Sequence, residues 1–189
     1  PYAAPTADGP LRLLVVGGSQ GARIMADIVP PAIERLEPAL WRRLSLVQQV
    51  REEDMPRVRA IYDKLKIEAE LAPFFTDLPA RFAATHLVVS RSGAGTVAEL
   101  GAIGRPSILV PLPGAIDQDQ HANAGVLERA GGAIRIPQTE FTPDRLASKI
   151  SALAADPARL TAMATSARTV GRLDAAERLA DLLMKVAEI

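Results

Sequence analysis

Residues 90–100, SRSGAGTVAEL, place two glycines just before a predicted helix and one acid inside it. Because the glycines leave the start of the helix uncovered, the backbone amides of Ala94, Gly95 and Thr96 could bind a phosphate, aided by the threonine hydroxyl. Glu99 lies about one helical turn further on, and its two carboxylate oxygens suit the adjacent hydroxyls of a ribose. The spacing therefore predicts a nucleotide site. The alternative is that Glu99 only favours the helix dipole from the first turn.

A second glycine-rich stretch, GGSQG at 17–21, follows the apolar run LRLLVV. A strand-to-helix loop of this composition can bring free backbone N–H groups to an anion. Gly18, Ser19 and Gln20 are its candidate binding residues. The stretch lacks the lysine of a P-loop and does not have the spacing G-x-G-x-x-G, so a simple tight turn remains an alternative.

A third polar stretch, PLPGAIDQDQHANA at 111–124, precedes another predicted helix. Asp117, Asp119 and Gln120 could bind sugar hydroxyls. Asp117 and Asp119 also form a D-x-D pattern, which can hold a divalent metal, but such a metal needs more oxygen ligands than this loop offers. We therefore expect Asp119 to cap the following helix and predict no metal site.

Two aromatic residues and two histidines complete the candidates. Phe74 and Phe75, in APFFTDLP, come at the predicted end of a strand, where they could meet a flat base or simply pack in the core. His86 begins an apolar strand and is interpreted as structural. His121 lies in a predicted helix without an identifiable partner, and the spacing predicts no serine–histidine–acid triad.

These loops need a scaffold of alternating strands and helices. The pattern predicts strands at 11–16, 44–50, 68–74, 86–90, 106–112 and 133–137, with helices between and after them. Pro30 and Pro31 are expected to interrupt or kink the first helix. The order implies an α/β, Rossmann-like parallel sheet of about six strands flanked by helices. Right-handed crossovers then bring the strand-to-helix loops to one edge, where ligands bind.

Composition limits the classes of function. The 189 residues suffice for one domain, predicted over 11–189 after a linker at 1–10 that is rich in proline and small residues. Lys and Arg number 22 and Asp and Glu 22, so a basic nucleic-acid-binding surface is not expected. Without cysteine there is no disulfide and no thiolate metal site. The apolar runs are too short to span a bilayer.

Taken together, four segments resemble the C-terminal half of the MurG family of bacterial transferases: VVGGSQGAR, SRSGAGTVAEL, GRPSILVPLPGAIDQDQHANA and DAAERLADLL. The resemblance covers nearly all of 10–189. It implies the donor-binding domain of a two-domain GT-B glycosyltransferase, with the N-terminal acceptor domain lying outside this chain. It also implies inverting transfer of N-acetylglucosamine from UDP-N-acetylglucosamine to lipid-linked muramoyl-pentapeptide, which converts lipid I to lipid II without a cofactor.

The same resemblance implies roles for individual residues. Ser19 approaches the diphosphate, and the backbone of Phe75 reads the uracil edge with Phe74 beside it. The phosphates and ribose are held by one run, Ala94, Gly95, Thr96, Val97, Ala98 and Glu99. Gln120 contacts the sugar hydroxyls. Four further candidates are Gly18, Gln20, Arg91 and Asp119, the last standing where the family often has glutamine.

The resemblance places the general base, the lipid I site and the membrane contact in the missing domain. We therefore expect this chain alone to bind the donor without turning it over, and the complete enzyme to be peripheral on the cytoplasmic face of the bacterial inner membrane. Three alternatives remain open: a stand-alone, non-catalytic UDP-sugar-binding subunit, another GT-B UDP-sugar enzyme such as an epimerase, and an interaction domain without a ligand. An epimerase would need acids and histidines poised for proton transfer, and the sequence shows no such set.

Overall fold

A computed structural model describes residues 1–18, 21–114 and 119–187. Its six strands form one parallel sheet in the order β3-β2-β1-β4-β5-β6, which confirms the predicted architecture. The strands are β1 (Leu11–Val16), β2 (Leu44–Gln49), β3 (Ala69–Ala72), β4 (Leu87–Ser90), β5 (Ser107–Leu109) and β6 (Ala133–Arg135). In the register, Leu13 of β1 pairs with Leu46 of β2 on one side and with Leu87 of β4 on the other.

Helices connect the strands and complete the chain. They are α1 (Arg23–Glu34), α2 (Pro38–Trp41), α3 (Met55–Lys64), α4 (Leu78–Ala84), α5 (Ala94–Ile103), α6 (Asp119–Ala130), α7 (Pro143–Ala154), α8 (Pro157–Thr169) and α9 (Ala175–Ala187). The helix α5 ends at a glycine, Gly104. Within the described part of the chain, no helix is long and apolar enough to cross a membrane.

The strand β1 is buried on both faces, and its side chains alternate between two hydrophobic cores. Leu13 and Val15 belong to the core that includes residues of α1, α3 and α7, whereas Leu14 and Val16 belong to the core that includes residues of α4, α5, α6 and α8. All four side chains are almost completely buried. A strand covered on both faces is almost continuously apolar, and LRLLVV has this pattern except at the exposed Arg12.

Of the two effects predicted for Pro30 and Pro31, interruption of the first helix is wrong, since α1 runs through both, and a kink stays a prediction. A proline has no N–H, so Pro30 leaves the carbonyl of Ala26 without its helical donor. Arg57 of α3 supplies one instead, from Nη1 at 3.3 Å. The same side chain bonds the Asp27 carboxylate at 2.7 Å. A contact between residues 31 positions apart therefore compensates for a locally unfavourable sequence.

Five strands are shorter than predicted, and β3 and β5 lose the most residues. β3 ends at Ala72, so Phe74 and Phe75 lie in the loop beyond it rather than at its end. β5 contains only three residues between Pro106 and Pro111, neither of which can donate a backbone hydrogen bond.

Residues 1–10 contain no helix or strand, yet they are attached to the opposite, amino edge of the sheet. The Tyr2 hydroxyl donates to the carbonyl of His86 at 3.1 Å. The Arg43 guanidinium donates to the carbonyls of Gly9 and Thr6, at 2.8 and 2.9 Å. This segment therefore lies away from the loops predicted to bind a ligand.

Candidate functional site

The strand order reverses between β1 and β4, which are neighbours in the sheet. In open α/β sheets, such a reversal opens a crevice outside the carboxyl ends of the strands. The glycine-rich stretch at 17–21 follows β1, and residues 91–93 follow β4. The two loops singled out from the sequence therefore meet at this crevice.

Gln49, at the end of β2, fixes the first loop. Its Oε1 accepts from the Gly17 amide at 2.9 Å, and its Nε2 donates to the carbonyls of Gly18 and Pro73 at 3.0 and 3.1 Å. Because the side chain is only 4% exposed, these bonds replace water at buried polar groups. One amide thus joins the glycine loop to the loop that carries Phe74. We did not identify Gln49 from the sequence, although two glutamines in the apolar run LSLVQQV are a signal.

The second loop leads into α5, whose first helical hydrogen bond joins the Val97 amide to the Gly93 carbonyl at 3.0 Å. The amides of Ala94, Gly95 and Thr96 therefore have no acceptor within the helix. A Cβ added at Gly93 or Gly95 would meet no atom of the described residues within 4 Å. The helix start is thus both rich in free donors and open, as its sequence predicted.

Glu99 is the sixth residue of α5, and the first turn contains no acid. The alternative that Glu99 serves the helix dipole from the first turn is therefore wrong, because that effect falls off within one turn. The side chain instead lines a pocket of about 230 Å³ at the crevice. The other lining residues are Val16, Gly18, Gln49, Phe74, Phe75, Leu78, Gly95 and Thr96.

The two phenylalanines of this smaller pocket differ in exposure. Phe75 is 8% exposed, and the Arg81 guanidinium lies 4.2 Å from its ring centroid. Arg81 is itself held by carboxylates at 2.8 Å (Glu70) and 2.6 Å (Asp77), and these hydrogen bonds raise its pKa. Phe74 is 61% exposed, so its ring is free to stack.

A larger pocket of about 580 Å³ adjoins the smaller one and shares Gly18, Gly95 and Thr96 with it. The remaining lining residues are Gly17, Gly21, Ala22, Arg23, Ile24, Arg51, Arg91, Gly93, Leu112, Gln120 and Gln138. Three of them, Arg23, Arg51 and Gln138, were missed in the sequence. The shared residues make the two pockets one cleft along the carboxyl edge.

Arg91 is buried in the wall of the larger pocket, and this burial lowers its pKa. Its Nη1 donates to the carbonyls of Val110 and Pro111, both at 3.1 Å, and its Nη2 to Oε1 of Gln138 at 2.5 Å. Arg91 thus braces the chain that follows β5, and most of its donors are already used.

Gln120 and Asp119 begin α6. The Oε1 of Gln120 accepts from the Leu112 amide at 3.0 Å, and its carbonyl accepts from Ser92 Oγ at 2.8 Å. Asp119 caps the helix start as expected, with Oδ1 accepting from the Gln120 amide at 2.7 Å. Gln120 lines the larger pocket and ties α6 to the loop after β4.

Other candidates are more distant from the cleft or cannot be placed. The Val97 side chain is buried in the core and Ala98 is exposed, and both lie outside the lining of the two pockets. Ser19, Gln20, Asp117 and Gln118 lie outside the described residues, so the D-x-D pattern is not seen. Over the three described ranges, no group of three histidines or acids is arranged to hold a metal.

The two histidines have different surroundings. His86 is 3% exposed, and its Nδ1 accepts from the Arg12 amide at 3.1 Å, which supports its interpretation as structural. Burial, with Arg12 and Arg105 nearby, lowers the pKa of His86 to about 4. His121 is exposed and lines a third pocket of about 370 Å³, which shares Leu112 and Gln138 with the larger pocket.

Comparison with known proteins assigns the chain to a family. Residues 12–179 match the model of the glycosyltransferase family 28 C-terminal domain. A curated protein of Bradyrhizobium diazoefficiens is 84% identical over 187 residues, covering 99% of this chain and 51% of its own length. One of Nitrobacter hamburgensis is 76% identical over 189 residues, covering 100% and 51%. Both carry the name UDP-N-acetylglucosamine–N-acetylmuramyl-(pentapeptide) pyrophosphoryl-undecaprenol N-acetylglucosamine transferase.

A solved structure agrees. The crystal structure of Acinetobacter baumannii MurG is 32% identical and superposes with a TM-score of 0.86, covering 97% of this chain and 55% of that one. The resemblance to the MurG transferases is thereby confirmed. The chain spans about half the length of the curated relatives it matches. Because the family model covers most of the chain, the protein belongs to the glycosyltransferase family 28 C-terminal domain family.

Proposed function

We propose that this chain is the donor-binding half of an inverting glycosyltransferase that uses UDP-N-acetylglucosamine. In this proposal N-acetylglucosamine passes to a lipid-linked muramoyl-pentapeptide, converting lipid I to lipid II in peptidoglycan synthesis. The observation that carries it is the two-part cleft, in which a carboxylate and an exposed aromatic ring line one pocket and the open start of α5 leads into the next. The names of the highly similar relatives supply the identity of the sugar and of the acceptor.

The smaller pocket suits the nucleoside. Glu99 accepts hydrogen bonds from the ribose hydroxyls, and the exposed ring of Phe74 lies beside the base. The backbone around Phe75 supplies polar groups for the uracil edge, since the Phe75 ring itself is packed beneath Arg81. Binding by Ser19, Gln20, Val97 and Ala98 stays a prediction from the resemblance.

The larger pocket suits the diphosphate and the sugar. The amides at the start of α5 can bind the negatively charged diphosphate, because they are preorganised and lie at the positive end of the helix dipole. Gln120 contributes its side-chain amide to the sugar hydroxyls. In the reaction the acceptor oxygen forms a bond to the anomeric carbon while the bond from that carbon to the phosphate oxygen breaks. The amides stabilise the charge that grows on the departing UDP.

Residues 11–189 form the donor domain in this proposal, and the proton of the acceptor hydroxyl goes to a base in the acceptor domain outside this chain. Lipid I and the membrane are contacted through that same domain. The complete enzyme is then peripheral, on the cytoplasmic face of the bacterial inner membrane. This chain alone binds donor and leaves it intact.

Calorimetric titration of the chain with UDP, UDP-N-acetylglucosamine and UDP-glucose tests the proposal. We expect UDP to bind, and UDP-N-acetylglucosamine to bind more tightly than UDP-glucose. Absence of binding to all three by a chain that melts cooperatively would overturn the proposal. Equal binding of both sugars would overturn the choice of sugar alone.

A further inference from the structure

We infer that Arg51 binds the terminal phosphate of the nucleotide diphosphate, a role that neither the resemblance nor the relatives' names assign. This inference rests on the proposed function and adds a specific cationic contact to it. Arg51 lies two residues after β2, on the wall of the larger pocket. It is thus placed to meet an anion held at the start of α5.

The hydrogen bonds of Arg51 leave most of its donors unused. A guanidinium has five N–H donors. Within the described ranges, Nη2 donates to the Gly21 carbonyl at 3.2 Å, while Nε is buried and has no partner. The nearest acid contact joins Nη1 to Glu53 at 3.8 Å, which is too long for a hydrogen bond. A phosphate is the acceptor that a guanidinium fork binds best.

Gly21 supports this placement. Its φ of +66° lies in the left-handed region, and its amide donates to the Gly18 carbonyl at 3.0 Å. A Cβ at this position would lie 3.1 Å from Cγ of Arg51. The glycine therefore lets the arginine stem lie against the loop, and the loop carbonyl orients the guanidinium.

The position of Arg51 in the cleft indicates that it contacts the terminal phosphate rather than the phosphate next to the nucleoside. Gly95 and Thr96 line both pockets, so a phosphate next to the nucleoside lies there. Arg51 lines only the larger pocket, whereas Glu99 and Phe74 line only the smaller one. Of the other cations there, Arg91 is engaged with carbonyls and Arg23 is largely solvated, with 74% of its side chain exposed.

The test compares uridine, UMP and UDP binding to the unmodified chain and to Arg51→Gln by calorimetry. We expect Arg51→Gln to weaken UDP binding about 10- to 100-fold, the usual effect of losing a charge-assisted hydrogen bond, and to change UMP and uridine binding less than about 2-fold. Arg51→Lys keeps the charge without the fork and should lose UDP affinity by about 3- to 10-fold. Arg42→Gln, at the amino end of the same strand, removes an equal charge and should change none of them.

The outcomes separate the roles. Equal weakening of all three ligands would overturn the inference in favour of a purely structural contact to Gly21. Unchanged UDP binding in Arg51→Gln would overturn it while leaving the proposed function standing. Failure of the unmodified chain to bind UDP would overturn both. If Arg51→Gln melts before it can be titrated, the UDP-to-UMP affinity ratio of Arg51→Lys decides, and an unchanged ratio overturns the inference.

Discussion

Replacing Gly95 by alanine should make the protein more stable and bind its nucleotide less well. Gly95 is the second residue of α5, and its φ lies outside the range in which side chains are strained. Among residues 1–18, 21–114 and 119–187, no atom lies within 4 Å of a Cβ built there. Neither the backbone nor the packing therefore requires a glycine, although glycine costs helix stability.

The stability gain can be estimated from the helix position. Glycine to alanine in a helix contributes about 0.5–1 kcal/mol, and the lower end applies near a helix start. For a chain of 189 residues this corresponds to a rise in Tm of about 1–4 °C. The new methyl group would also enter the space shared by the two pockets. Crowding a fitted ligand by one methyl costs about 1–3 kcal/mol, so UDP affinity should fall about 5- to 150-fold.

Thermal melting and UDP titration of Gly95→Ala measure the two effects. Gly125→Ala is the matched control, because Gly125 lies inside α6, outside both pockets, where a Cβ would displace only the tip of Arg129. It should raise the Tm by a similar amount and leave UDP affinity unchanged. The reasoning is refuted if Gly95→Ala binds UDP as tightly as the unmodified chain, since the open space would then serve no ligand.

Two further predictions concern groups that hold the site and its scaffold. Gln49→Glu keeps an acceptor for the Gly17 amide but loses the donor to the carbonyls of Gly18 and Pro73. The free energy of unfolding in urea should therefore fall by about 1–3 kcal/mol. An unchanged free energy of unfolding would show that these hydrogen bonds do not hold the loop. His86 has a folded-state pKa of about 4 against an ordinary 6.5, so the unfolded chain takes up its proton first and stability falls as the pH drops from 6.5 towards 4. The free energy of unfolding should fall by up to about 3 kcal/mol over this range. The fall should be smaller in His86→Asn, whose side-chain oxygen still accepts from the Arg12 amide. Equal dependence of the unfolding free energy on pH in the two proteins would refute this.

Much of the scaffold could be predicted because its signals are local. The strand β1 reads as one apolar run, α5 ends at a glycine, and both patterns reflect backbone sterics and burial on two faces. The alternation of strands and helices then brings the loops to one edge, since crossovers share one hand. The open start of α5 followed directly from residues 93–99.

The contacts of Gln49 and Arg51 could not be predicted, because they depend on which strands are neighbours in the sheet. Gln49 reaches the glycine loop only because β2 lies beside β1, and an amide at the end of a strand does not reveal this order. The same holds for Arg51 and its contact with Gly21. That Pro30 does not interrupt α1 could not be predicted either, because its missing hydrogen bond is replaced by one from Arg57, 27 positions away in a different helix.

The contact between Glu99 and the ribose hydroxyls is the central claim, and a double-mutant cycle tests it most directly. UDP and 2′,3′-dideoxy-UDP are titrated against the unmodified chain and Glu99→Gln, with Glu68→Gln as an exposed acid outside both pockets for control. The account predicts a coupling of about 1–3 kcal/mol between Glu99 and the hydroxyls, and none for Glu68. A Glu99 variant that loses equal affinity for both nucleotides, or for neither, would contradict the account.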